Sequence, residues 1–142
     1  MSSQNLHALL YVSNSRLPPA DAFSELQSIV QVSVANNGAR EISGALMFTE
    51  ENFLQYLEGP ISSLQALLLA LRADARHENL RLLLDRPTNE RLFGSWALAY
   101  YGPPDFVRAE VAAALDDGSE AAKSRLIDMM VAFASAGGSR EI

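Results

Sequence analysis

The chain has 142 residues, enough for one domain with a real core, and 49% of them are hydrophobic against 20% charged, the balance of a soluble globular protein. It has no cysteine and only two histidines, His7 and His77, which excludes disulfides, thiolate chemistry and cysteine-ligated metal and leaves no metal-binding cluster. A net charge of −6 without a basic run argues against a nucleic-acid groove.

The opening stretch "MSSQNLHALLYVSNS" has no basic segment, and its apolar run "ALLYV" is too short for a secretion signal or a membrane span. The expected location is the cytoplasm, with no membrane partner. "LHALLYVS", residues 6 to 13, is compact and apolar and is closed by the turn-like "NSRLPPAD", so it is a predicted first strand. Asp21 can cap a helix through about Ala35, with Phe23, Leu26, Ile29, Val30 and Val34 at helical spacing. "NNGAR" supplies the left-handed conformations that end it, and "EISGALMF" is the second strand.

"TEEN" makes a hairpin turn into "FLQYLEG", the third strand. A helix over roughly 61 to 73 follows, with Ile61, Leu64, Leu67, Leu68 and Leu71 as its apolar stripe. "RADARHEN" connects it to a fourth strand, "LRLLLDR", and "PTNERLFG" to a fifth, "SWALAYY". The order β-α-β-β-α-β-β predicts an α+β, ferredoxin-like sheet with both helices on one face and strands one and three adjacent at its centre. Residues 105 to 142 read as two helices divided at "DDGS" and are the expected cover of the opposite face. The expected division is a domain over 1–104 and a helical cap over 105–142.

In the third strand Phe53, Gln55 and Leu57 share one face. A glutamine between two large apolar residues needs partners, because a buried amide left unpaired is costly. On the first strand Leu9, Tyr11 and Ser13 share a face, so Tyr11 can lie beside Gln55 if the two strands are neighbours. Asn36 and Asn37, at the end of the first helix, can bring further amides to the crevice between helices and sheet, a slot of the kind that holds a flat cofactor.

The stretches "LLYVSNS", "NNGAREISGALMFTEENFLQYLEGP" and "RADARHENLRLLLDRPTNERLFGSWAL" together resemble the BLUF domains, blue-light sensors that use FAD, over roughly residues 5 to 102. The resemblance implies non-covalent FAD between the two helices. Tyr11 matches the electron- and proton-donating tyrosine, and Gln55 the glutamine between it and the flavin. Asn37 matches the asparagine on the polar edge of the ring, with Asn36 beside it. Ile29, Leu71 and Phe53 match apolar walls. Arg76 and His77 belong to a recurrent "D-x-R-H" element near the ribityl or phosphate end. Trp96 matches a strand-five tryptophan tied to signalling. Three positions depart from the family: Leu98 replaces a frequent methionine, Ala35 an arginine, and Glu41 a glycine before "I-S-G".

Singly, each of these residues has a plainer reading: Tyr11 and Trp96 as core, Gln55 as a paired structural amide, Asn36–Asn37–Gly38 as a helix stop, Arg76–His77 as a solvated loop. Their joint spacing favours a photoreceptor without enzymatic activity, signalling to a separate effector protein or through homo-oligomer contacts. The alternative is a flavin-free interaction or small-effector module. An acylphosphatase-like enzyme ranks last, because "YVSNSRLPP" offers only Arg16 for an anion.

Overall fold

The computed structural model describes residues 6–18, 41–49, 51–93, 97–100 and 104–135, together with positions 20, 24, 25 and 28. Its strands are β1 (Leu6–Ser15), β2 (Ser43–Phe48), β3 (Asn52–Pro60), β4 (His77–Pro87) and β5 (Ala97–Tyr100). The helices are α1 (Ile61–Ala73), α2 (Pro104–Asp117) and α3 (Glu120–Ser135). Of the expected first helix, Ser24, Glu25 and Ser28 are helical. Its cap Asp21, its apolar face and the "NNGAR" stop lie outside the described residues.

The sheet order is β4-β1-β3-β2-β5. β1 and β3 are the antiparallel central pair, flanked by antiparallel β4 and β2, and β5 joins β2 in parallel. This is the ferredoxin-like arrangement with one added strand. Gly44 in β2 has a packing reason: a Cβ there would lie 1.9 Å from the Tyr56 carbonyl oxygen, so no larger residue fits without moving the ladder.

The two faces of the sheet divide the core. On one, Leu9, Tyr11, Ile42 and Leu57 pack against Leu64 of α1, with Leu67, Leu68 and Leu71 partly buried beside them. Ile61 departs from the expected stripe and is 40% exposed. It stands in the first turn of α1, directly after the end of the central strand β3. On the other face Leu10, Val12, Met47, Leu54 and Tyr56 meet Val111, Ala114, Leu126, Met129 and Met130, so the last two helices cover the surface that α1 leaves bare.

Gly118, with φ +67°, ends α2 and donates its N–H to the Ala114 carbonyl at 2.9 Å. Ser119 Oγ then accepts from Ala122 N at 3.1 Å and starts α3.

β4 begins earlier than the sequence pattern implies, because His77 and Glu78 already pair with Ser15 and Asn14. Two register shifts interrupt its ladder with β1, one between Leu10 and Tyr11 and one between Val12 and Asn14. At the second, Asn79 adopts φ +57°, and β4 carries an extra residue opposite Ser13.

Candidate functional site

The site grows from the central strand pair. Tyr11 is directly opposite Gln55, Ser13 opposite Phe53, and Leu9 opposite Leu57. Side chains in such pairs stand on the same face, and α1 roofs part of it. The Tyr11 hydroxyl donates to Gln55 Oε1 at 2.6 Å, and both residues are buried. The rest of the row across the sheet is Leu82 on β4, opposite Tyr11, and Leu46 on β2, opposite Gln55.

Tyr11, Leu46, Phe53, Gln55, Leu71, Asp74, Arg76 and His77 line one cleft of about 350 Å³, including its open mouth. With Gln55 Oε1 committed to Tyr11, the amide nitrogen has no hydrogen-bond partner among the described residues, although Gln55 is only 8% exposed. An amide N–H donor on a residue that lines a cleft is a group set for a ligand acceptor. Burial pushes the Tyr11 phenol well above its ordinary range, and the nearby Asp74 carboxylate adds to the effect. Tyr11 is therefore held as the neutral hydrogen-bond donor.

His77 is fixed from two sides. Its Nε2 faces the Leu71 carbonyl oxygen at 2.6 Å, and Nδ1 faces Ser13 Oγ at 2.6 Å. A carbonyl can only accept, so Nε2 carries the proton and Nδ1 accepts from the serine. Both nitrogens are thereby engaged with protein. The ring stands steeply inclined to those of Tyr11 and Phe53, with centroids at 6.1 Å and 5.9 Å. His77 enters the cleft as an aromatic wall that also pins the end of α1 to β1.

Arg76 is folded back onto Asp74, with Nη2–Oδ2 at 2.7 Å and Nε–Oδ1 at 3.0 Å. The Asp74 carboxylate also accepts from the Arg76 backbone N–H at 2.9 Å. The fork, chiefly through its side-chain hydrogen bonds, holds the Asp74 carboxyl below and the Arg76 guanidinium above their ordinary ranges. The mouth of the cleft thus carries a preformed cation–anion pair.

Tyr11, Gln55, Phe53, Leu71, Arg76 and His77 are brought together here. Asn36, Asn37, Ile29 and Trp96 lie outside the described residues. Sequence reasoning passed over Leu46, whose strand pairing was needed to place it, and Asp74. The aspartate was visible as the first letter of the "D-x-R-H" element.

The sequence matches the family model "Sensors of blue-light using FAD", BLUF, over residues 6–99. The chain belongs to the BLUF family. Photoactivated adenylate cyclase subunit alpha of Euglena gracilis is 33% identical over 90 residues, covering 63% of this chain and 9% of that protein. The chain spans about a tenth of the length of the curated relatives it matches. Among solved structures it resembles BlsA in its photo-activated state, with a TM-score of 0.76, 18% identity, and coverage of 89% of this chain and 94% of that one, a likeness of fold. BlrB, a BLUF protein in the dark state, aligns with a TM-score of 0.67 at 25% identity, covering 90% of this chain and 96% of that one. As a BLUF protein the chain is a flavin-binding blue-light sensor with FAD as its chromophore.

The cleft fits that group. It offers an amide donor with no partner among the described residues, aromatic and aliphatic walls, and a charged pair at its mouth, a donor set suited to a flat ring with polar edges and a phosphate tail.

Proposed function

We propose that Tyr11 and Gln55 are the photoactive pair, and that light is registered as a change in which atoms Gln55 bonds. The observation that carries the reading is the 2.6 Å Tyr11–Gln55 bond, made by a cleft-lining glutamine whose amide nitrogen has no partner among the described residues. FAD supplies the blue-light absorption and an electron acceptor when excited. Tyr11 then gives up an electron, and the loss makes its phenol strongly acidic. Its proton moves along the existing bond toward Gln55 Oε1. Gln55 exchanges the roles of its two ends by rotation or tautomerisation, since an amide carries a donor and an acceptor on one planar group. Electron and proton return to Tyr11, so no bond is made or broken overall and only the hydrogen-bond pattern differs.

The outer contacts follow the same reading. Asn37, with Asn36 beside it, holds the polar ring edge, while Ile29, Leu71 and Phe53 wall the ring. Arg76, poised on Asp74, and the His77 face border the more polar part of the cofactor. Trp96 lies immediately before β5 in sequence. Residues 1–104 form the sensing unit and 105–142 its helical cap. The chain performs no catalysis of its own and works in the cytoplasm, through a separate effector or through contacts between its own copies. Support for an effector comes from the relative named as a photoactivated adenylate cyclase. Among the described residues no helix is long and apolar enough to cross a membrane, and no cluster of metal-ligating side chains occurs.

Absorption spectra in the dark and under blue light test the reading. The wild-type chain with FAD is expected to shift its flavin bands reversibly to the red. Tyr11→Phe and Gln55→Ala are each expected to bind flavin and lose the shift. A normal shift in both variants would overturn the assignment.

A further inference from the structure

On the far side of β3 from the cleft is a second polar arrangement that the light reaction does not use. Glu58 stands three residues beyond Gln55, an odd offset that turns it to the opposite face. It is the most deeply buried carboxylate among the described residues, at 0% exposure. Its two oxygens accept from Leu92 N at 2.6 Å, Phe93 N at 2.9 Å and Ser43 Oγ at 2.7 Å. Arg91 closes the group, with Nη1 donating to Ser43 Oγ at 2.8 Å and Nη2 to the Glu41 carbonyl at 2.8 Å. The Phe93 ring packs against Tyr56 with centroids 5.4 Å apart.

A buried carboxylate is a poor choice for stability, because an apolar residue of similar size avoids the desolvation cost. What it provides is direction. It captures two successive backbone amides just before the segment that enters β5, and ties them to the strand that bears Gln55. We infer that Glu58 is a positioning residue, coupling β3 to residues 91–93 so that a displacement of β3 after illumination is delivered to the entry of β5. The inference rests on the photoreceptor reading above.

The chain's one tryptophan, Trp96, directly precedes β5 and makes the coupling measurable by its emission in the FAD-loaded full chain. Wild type is expected to change its tryptophan emission on illumination. Glu58→Gln keeps one acceptor oxygen and places its NH2 group against the other amide donor, so one of the Leu92 and Phe93 amides should exchange faster with solvent. In this variant the flavin red shift should persist while the light-induced emission change is lost. A full emission change in Glu58→Gln with a normal red shift overturns the coupling and leaves the photoreceptor reading standing. So does a wild-type red shift with no emission change. A wild type without any red shift removes both. If Glu58→Gln does not fold, Arg91→Ala carries the test. Its emission response should be smaller at an unaltered red shift, and an undiminished response overturns the inference.

Discussion

Glu41 sits at φ +63°, in the left-handed region where a Cβ costs about 1–2 kcal/mol. Its departure from the family's glycine is thereby an exchange of backbone comfort for a side chain. The Arg91 guanidinium on its carbonyl helps hold the conformation. Glu41→Gly is expected to raise stability by about 1 kcal/mol, after the entropy that glycine adds to the unfolded chain, read as a thermal midpoint a few degrees higher. The buried phenols give a second prediction. Burial and Asp74 push Tyr11 up, while burial and the Glu58 charge push Tyr56 to about 12. In the unfolded chain these groups ionise near pH 10, roughly the free tyrosine value. Their contribution is therefore intact below that pH and is lost as pH rises toward the folded values. The urea midpoint of the flavin-free chain should fall above pH 10, and fall less steeply in Tyr11→Phe. The Tyr11–Gln55 pair was legible in the sequence, since period-two alternation and strand order fix which side chains face each other. Glu58 was not, because its amide partners are 34 and 35 residues away in a stretch without regular structure.

Among the elements, β4 departs furthest from simple alternation. A regular strand would turn His77 to the same face as Arg81, away from the cleft. The extra residue at the Asn79 bulge reverses this, pairing His77 with Ser15 and bringing its ring to Ser13, Tyr11 and Phe53. Asparagine tolerates the left-handed φ there and a β-branched residue does not. Asn79→Val should cost about 1–2 kcal/mol and loosen His77, visible as loss of its distinct imidazole signals in NMR spectra. Bulges leave little trace in hydrophobic pattern, which is why "RADARHEN" reads as a connection although its last three residues are strand. β1 and β3 were legible because each has one face against α1 and the other against the cap, with apolar runs bounded by turn residues. The register shift between Leu10 and Tyr11 allows Leu83 and Leu84 both to pack on the cap side, again against simple alternation.

For the whole molecule, the cap is structural. Leu126 is fully buried between α3 and the sheet, so Leu126→Ala should cost about 2–5 kcal/mol, measured as a lower denaturation midpoint. Arg108 of α2 also reaches back to the β2–β3 hairpin, with Nε 3.1 Å from Glu51 Oε1. Because the cap covers the far face, a change at Gln55 has no direct path to solvent through the sheet.

β3 is flanked by antiparallel ladders on both sides, to β1 and to β2. A slip of one residue would send Gln55 to the cap layer and Glu58 to the flavin layer, which both layers forbid. The strand therefore has no second register to occupy. The freedom left to the lit state is torsional, a turn of one amide and a slight twist of a strand whose pairing stays intact, and such a state can relax without refolding any part of the sheet.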